Sequence, residues 1–143
     1  MQKVKSSLFL LMAIVVASME FHQSAATEHV VGDSFGWIVP PNAPNPDFYI
    51  VWSLHNSFRV NDSLIFNFAN GVHTVAEVTK EAYRNCDASN PISIQTTSPA
   101  RFTINNSNNH FYICTVGQHC KSFQRVAIRV SPTVDNSSVL LHH

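Results

Sequence analysis

The sequence has no excess of charge of either sign, because its 143 residues hold 9 lysines and arginines and 9 aspartates and glutamates. It therefore lacks the basic surface by which proteins bind the phosphate backbone of nucleic acids, and we expect no nucleic-acid partner. A recognisable nucleophile motif and a convincing pair of catalytic carboxylates are also missing, so we do not expect an enzyme. Internal repeats and low-complexity segments are absent, and the length is that of one ordinary domain.

The sequence also lacks an apolar run long enough to cross a bilayer, which takes about 20 residues. Its longest run, Leu8 to Ala17, is preceded by Lys3 and Lys5 and followed by the small residues Ser24-Ala25-Ala26. This order is typical of a secretory signal peptide, which we assign to residues 1–26. The mature chain is then secreted, extracellular and without a transmembrane segment.

The C-terminal end has little of the hydrophobic stretch that a lipid-anchor signal needs, because its apolar residues are Val139, Leu140 and Leu141. We therefore expect one domain over residues 27–131, a disordered tail over residues 132–143 and no lipid anchor. Nothing in the sequence demands more than a monomer.

Short runs of branched and aromatic residues alternate with clusters of Asn, Asp, Gly, Pro and Ser, which is typical of an all-β protein. Apolar residues alternate most clearly over residues 64–68 and 126–130, as in half-buried strands. About seven such strands favour a two-sheet antiparallel sandwich. Only Thr79 to Tyr83 indicates a helical turn. The predicted strands are Glu28 to Val31, Phe58 to Val60, Ser63 to Phe68, His73 to Val78, Arg101 to Ile104, His110 to Thr115 and Gln124 to Val130.

Cysteine is scarce and odd in number, since only Cys86, Cys114 and Cys120 occur. In the oxidising environment outside the cell two of them would normally pair, which leaves one thiol to be explained. Cys114 begins a segment in which a thiol, an imidazole and an amide follow one another at intervals of five residues, at Cys114, His119 and Gln124. A loop of this length can close round one metal ion.

A second imidazole would complete the ligand set of a known kind of metal centre. His73 follows Asn70-Gly71 at the start of a predicted strand, so a neighbouring strand can present it beside the loop. Two histidines and a cysteine, with a weak axial ligand such as glutamine, are the ligands of blue copper sites. The residues therefore predict one bound copper ion, with the ligands His73, Cys114, His119 and Gln124.

Zinc is the competing metal, because the three cysteines and a histidine offer four ligands. The short Cys-x₂₋₄-Cys pairs that are usual in structural zinc sites are absent, however. If Cys114 is the copper thiolate, Cys86 and Cys120 remain available to pair with each other. The other histidines are expected at the surface or in packing, and they include His29, His55 and His110.

The same residues resemble a known family. The order of His73, Cys86, Cys114, His119, Cys120 and Gln124 is similar to that in the phytocyanins, which are plant blue copper proteins, and Gln124 is similar to the stellacyanin branch. Residues 31–37, 62–68 and 77–80 look similar as well. The likeness covers most of the mature chain.

The resemblance implies a cupredoxin-like two-sheet Greek-key β-sandwich with one disulfide, between Cys86 and Cys120. It also implies transfer of single electrons through the Cu(II)/Cu(I) couple, in the apoplast or cell wall, to an unknown redox partner that is a protein or a small molecule. One residue departs from the family, because Phe123, immediately before Gln124, stands where glycine is usual.

A metal-free relative is the alternative, because nodulin-like phytocyanins look similar, lack the ligands and would act in interactions at the cell surface. The presence of two histidines and a cysteine in family order argues against this alternative. Secretion also makes N-glycosylation plausible at three Asn-x-Ser sequons, which begin at Asn61, Asn105 and Asn136.

Overall fold

The computed structural model of the protein describes residues 25–132. Outside the described residues lie residues 1–24 of the predicted signal peptide and residues 133–143 of the predicted tail. The sequon at Asn136 falls in the second of these segments. Within residues 25–132 no helix is both long and apolar enough to cross a membrane.

Seven strands and two short α-helices make up the regular structure of this part of the chain. The strands are β1 (Glu28–Val30), β2 (Ser63–Phe66), β3 (Val75–Val78), β4 (Ser93–Gln95), β5 (Ala100–Thr103), β6 (His110–Ile113) and β7 (Arg125–Ile128). The helices are α1 (Phe48–Leu54) and α2 (Lys80–Asn85), and a 3₁₀ turn spans Asp33–Phe35.

The strands form two sheets, which confirms the predicted two-sheet sandwich. One sheet has the order β1-β2-β5 and the other the order β4-β3-β6-β7. The strands β1 and β2 pair in parallel, and all other strand pairs are antiparallel. The prediction of an antiparallel sandwich is therefore wrong for β1. Aromatic side chains fill the core between the sheets, where the Phe66 ring contacts Trp37, Phe102 and Tyr112 at ring-centroid distances of 5.0 to 5.6 Å.

Helix α1 is the largest departure from the sequence-based expectation, because only Thr79 to Tyr83 was predicted to be helical. Residues 48–54 are rich in aromatic and branched side chains, which favour strands. Tyr49 and Trp52, three positions apart, are nevertheless both buried in the core. Burial of one helical face thus outweighs local β propensity. The turn predicted at Thr79 is α2, and the Thr79 side chain accepts a hydrogen bond from the amide of Ala82 as its N-cap.

One predicted strand is wrong, and one strand was missed. The expected strand Phe58 to Val60 is reduced to a single bridge between Phe58 and Val130, and β4 was not predicted at all. The residues of β4 are mostly exposed on the edge of the sheet, so they lack the apolar alternation that would have indicated a strand. The strands β3 and β7 are also shorter than expected, and His73 and Gln124 lie just before them.

Candidate metal centre

The four predicted ligands lie at one end of the four-stranded sheet. His73 precedes β3, Cys114 directly follows β6, and Gln124 directly precedes β7. The strand β6 lies between β3 and β7, and Ile113 is paired with Ala76 on one side and Arg125 on the other. Three neighbouring strand ends therefore bring these residues to the same edge, and His119 comes from the loop between β6 and β7.

A pair of hydroxyl groups joins two of these strand ends. Thr74 Oγ1 lies 2.6 Å from Thr115 Oγ1 and accepts a hydrogen bond of 2.9 Å from the Thr115 amide. The indole of Trp37, fully buried in the core, donates to the carbonyl of Thr74. Each threonine is adjacent to a predicted ligand, so this network fixes the backbone spacing of His73 and Cys114.

The loop that carries His119 folds back on its own backbone. The amide of His119 donates to Val116 O at 3.1 Å, and the amide of Gln124 donates to His119 O at 3.0 Å. The loop closes where the amide of Cys114 donates to Gln124 O at 3.1 Å. Cys114, His119 and Gln124 are thereby held together by main-chain bonds.

A disulfide joins this loop to α2. Cys86 and Cys120 form the bridge, with Cα atoms 5.7 Å apart, and Cys114 is the free cysteine. The predicted disulfide is therefore confirmed. Because Cys120 directly follows His119, the bridge also restricts the movement of that histidine.

Three side-chain donor atoms converge at the end of the sheet. His73 Nδ1 lies 3.2 Å from His119 Nδ1, and Cys114 Sγ lies 3.9 Å and 3.5 Å from these two nitrogens. A point equidistant from the three atoms is about 2.1 Å from each, which matches the usual bond lengths from a metal ion to imidazole nitrogen and thiolate sulfur. The spacing of the donor atoms therefore fits a bound metal ion, and their types are those of a blue copper site.

The surroundings of His73 lower its pKa and so favour the neutral form that a metal ligand needs. Burial lowers the pKa of His73, and a positive charge on His119 would lower it further. Gln124 acts in the opposite direction, although no hydrogen bond of acceptable geometry joins the two side chains. His73 and Cys114 are buried, whereas His119 is partly exposed.

The Gln124 side chain is the least satisfied polar group among the described residues. It is 0 % exposed, and neither Oε1 nor Nε2 has a hydrogen-bond partner. A buried amide without partners costs free energy, and such groups are rare in folded proteins. An unpaired amide beside two imidazoles and a thiol is suited to a further, weak contact with a metal ion.

A comparison with known families decides the class of protein. Residues 37–124 match the family model of the plastocyanin-like domain. The chain belongs to this family, that of the plant blue copper proteins known as phytocyanins.

Relatives and solved structures agree with that placement in the phytocyanin family. A blue copper protein of Arabidopsis thaliana is 40% identical over 73% of this chain and 52% of its own length. The structure of cucumber stellacyanin with Cu²⁺ at pH 7.0 is 37% identical, covers 74% of this chain and 96% of its own, and superposes with a TM-score of 0.66. The chain thus spans about half the length of the Arabidopsis blue copper protein, but nearly all of the solved stellacyanin domain.

The family also contains proteins that are not named for copper. Early nodulin-like protein 3 of Arabidopsis thaliana is 32% identical over 89% of this chain and 62% of its own length. Similarity along the chain therefore places it in the phytocyanin family without distinguishing a copper protein from a nodulin-like one. The donor atoms of this chain have to be considered for that purpose.

The other histidines within residues 25–132 lie outside the cluster. His29 Nε2 bonds to Asp62 Oδ2 at 2.9 Å, and His110 Nδ1 bonds to Glu77 Oε1 at 2.8 Å, with both histidines buried. His55 is exposed at the end of α1 and bonds to a helix carbonyl. They are packing or surface residues, as the sequence predicted, but the two carboxylate partners were not foreseen.

Burial raises the pKa of the Asp62 carboxyl, but its hydrogen bonds outweigh this effect. His29 and the backbone amides of Thr27 and Arg59 all bond to the carboxylate, and together they hold its pKa below the usual value. This cluster ties the first residues of the described chain to the turn before β2.

Two of the three sequons lie in the described part of the chain. Asn61 and Asn105 are exposed and lie outside the strands. Both positions can therefore accommodate a glycan without disturbing the core.

Sequence reasoning missed two contacts near this site, the Thr74–Thr115 hydroxyl pair and the hydrogen bond that the Arg125 side chain donates to Tyr83 O. Each depends on groups about 40 residues apart that meet only when the sheet has formed. The one local hint was that Thr74 and Thr115 each follow a predicted ligand directly.

Proposed function

We propose that this chain is a secreted type 1 copper protein that binds one copper ion and transfers single electrons in the apoplast or cell wall. The ligands in this proposal are His73, Cys114 and His119, with Gln124 as the axial ligand. The observation that supports it best is the convergence of an unpaired thiol and two imidazole Nδ1 atoms to within 3.9 Å of one another. Gln124, whose buried side-chain amide has no hydrogen-bond partner, is joined by main-chain hydrogen bonds to both Cys114 and His119.

Bound copper would supply a Cu(II)/Cu(I) couple, and the chain's own residues hold the ligands in place. The Thr74–Thr115 bond fixes two strand ends, and the disulfide at Cys120 restrains the loop of His119. A framework that allows little movement suits electron transfer, because the ligand positions then need to change little between the two oxidation states.

His119 is the proposed point of electron entry and exit. Its ring is partly exposed, whereas the His73 ring and the Cys114 thiol are buried, so a redox partner can approach the His119 edge most closely. The partner, a protein or a small molecule, would then exchange electrons without contact with the thiolate. We further propose that the protein acts as a monomer.

The proposal treats the chain as an electron carrier and not as an enzyme. Three strong ligands and an axial amide leave no open position at which a substrate would be activated. It further assigns residues 1–26 as a signal peptide, residues 27–131 as the copper domain and the sequons at Asn61, Asn105 and Asn136 as sites of N-glycosylation in the secretory pathway.

A visible absorption spectrum of the purified, Cu(II)-loaded mature protein tests this function. We expect an intense blue charge-transfer band that disappears in Cys114→Ser, because the band requires a thiolate on Cu(II). His119→Gln should also lose the band. The matched control is His55→Gln, which removes an exposed histidine outside the cluster and should leave the spectrum unchanged.

Loading with zinc should give a colourless protein of the same fold. Near-ultraviolet circular dichroism would establish that each variant is folded. A folded wild-type protein that remains colourless with copper would contradict the proposal, and the metal-free nodulin-like alternative, with a role in interactions at the cell surface, would then replace it.

A further inference from the structure

The turn before Gln124 has a backbone conformation that its residue does not favour. Phe123 has φ 74°, in the left-handed region that glycine adopts freely and that costs free energy for a residue with a Cβ atom. Its amide donates to Cys120 O at 2.9 Å, so the conformation is part of the turn that leads from the disulfide to Gln124. Other contacts of the fold must therefore stabilise Phe123 in this conformation.

The side chain of Arg125 lies against that turn. Its guanidinium carbon is 5.8 Å from the centre of the Phe123 ring and 5.1 Å from the centre of the Tyr83 ring, so it contacts two aromatic rings. Cation–π contacts of this kind are attractive at distances up to about 6 Å. The phenyl ring, which a glycine would lack, therefore adds a contact that helps to offset the strained backbone.

Arg125 also bonds to the end of α2. Its Nη1 donates to Tyr83 O at 3.0 Å and to Arg84 O at 3.3 Å, two carbonyls of the last helical turn. Such carbonyls have no partner within the helix, and a cation there also interacts well with the helix dipole. The same nitrogen lies 3.8 Å from Cys86 Sγ, so Arg125 contacts the disulfide as well.

These contacts attach the chain to α2 on both sides of the proposed axial ligand. The disulfide ties α2 to the loop at Cys120, and Arg125 ties α2 to the first residue of β7. Gln124 lies between these two attachments. Because no hydrogen bond holds its side-chain amide, the position of that amide depends on the backbone on either side of it.

We propose that Arg125 is a positioning residue for the metal centre. Its guanidinium, held between Tyr83 and Phe123 and bonded to the end of α2, fixes the turn at Phe123 and thereby the place of the Gln124 amide beside His73 and Cys114. This inference rests on the proposed function for its link to copper, but the restraint on the turn can be measured without metal.

Amide hydrogen exchange of the metal-free protein is the first test. The amides of Gln124 and Cys114 bond across the turn, to His119 O and Gln124 O. In Arg125→Lys, which keeps the charge but loses the planar fork of donors, we expect these two amides to exchange about tenfold faster. The amide of Val31, bonded in the other sheet, serves as the reference and should be unaffected.

Two further variants keep this test interpretable. Arg129→Lys, an exposed arginine beyond the end of β7, is the matched control and should leave all three amides unchanged. If Arg125→Lys does not fold, Phe123→Leu removes one of the two rings and leaves the bonds to α2 in place. It should accelerate the same two amides, by a smaller factor. Unchanged exchange, or equal acceleration in both sheets, would overturn the positioning role.

The copper-loaded protein supplies the second readout. If Arg125 positions Gln124, Arg125→Lys should shift the reduction potential and the electron paramagnetic resonance spectrum, although the charge is kept, and Arg129→Lys should do neither. Unaltered signals in Arg125→Lys would overturn the link to the metal. A wild-type protein without a blue centre would instead refute the proposed function, and the exchange data from metal-free protein would still decide whether Arg125 restrains the turn.

Discussion

Replacement of Gln124 by methionine tests whether the buried amide is kept for the metal. Gln124 is fully buried, and both polar atoms of its side chain lack hydrogen-bond partners. A function that needs the amide would explain why the fold tolerates this cost. Gln124→Met removes both polar atoms while it keeps a long, flexible side chain that fills a similar volume.

The expected change in the free energy of unfolding is the difference between a stabilising and a destabilising contribution. Removal of an unsatisfied buried amide should stabilise the metal-free protein by about 1–3 kcal/mol. Imperfect repacking around the thioether should cost less than about 1.5 kcal/mol. We therefore expect a net gain of about 1 kcal/mol in the free energy of unfolding, or about 4 °C in the unfolding midpoint of a domain of this size.

Thermal unfolding in the presence of a chelator measures this change, and Gln118→Met is the matched control. Gln118 is exposed on the same loop, so its replacement should alter stability by less than about 0.5 kcal/mol. In copper-loaded protein Gln124→Met should raise the reduction potential, because an amide oxygen is a harder ligand than a thioether and favours Cu(II). A metal-free variant less stable than wild type by more than about 0.5 kcal/mol would refute the assignment of an unsatisfied amide, and an unchanged or lower potential would refute the axial role.

Two further predictions concern the disulfide and the buried carboxylate of Asp62. The bridge joins residues separated by 34 positions, so Cys86→Ala with Cys120→Ala should lower the free energy of unfolding of the metal-free protein by about 4 kcal/mol in urea denaturation. A loss below about 1 kcal/mol would contradict the chain-entropy account. Because the pKa of Asp62 is lowered in the folded protein, its carboxylate stabilises the fold above pH about 4, and this contribution is lost as the pH falls through the lowered pKa. Asp62→Asn should therefore reduce stability at pH 7 and flatten its decline between pH 5 and 2, whereas equally steep declines in the two proteins would argue against this role.

The sequence was most informative where the site is local. Cys114, His119 and Gln124 follow one another in a single segment, so their spacing alone indicates that they meet. These residues do lie at one end of the sheet, and main-chain hydrogen bonds within residues 114–124 join them. The odd number of cysteines was also informative. In an oxidising environment two of the three cysteines pair, so the remaining free thiol, Cys114, needs another explanation.

The sequence was least informative where packing overrides local preference. Helix α1 has the composition of a strand, and only the burial of Tyr49 and Trp52 in the core favours the helix. The edge strand β4 has the opposite difficulty, because its exposed residues carry no periodic pattern. Neither error affects the site, which depends on β3, β6 and β7.

Three unfavourable features lie in or beside the loop between β6 and β7, and so do contacts that offset them. Phe123 is held in a left-handed conformation, Gln124 buries an unpaired amide, and the Nδ1 atoms of His73 and His119 face each other at 3.2 Å. Each feature raises the free energy of the metal-free fold unless other contacts offset it. For the two imidazoles, a proton shared between the Nδ1 atoms has this effect. The disulfide, the threonine pair and Arg125 surround the same loop. Such an arrangement is expected of a site that is kept in place before the metal binds, since local costs persist only where the surrounding structure over-determines the geometry.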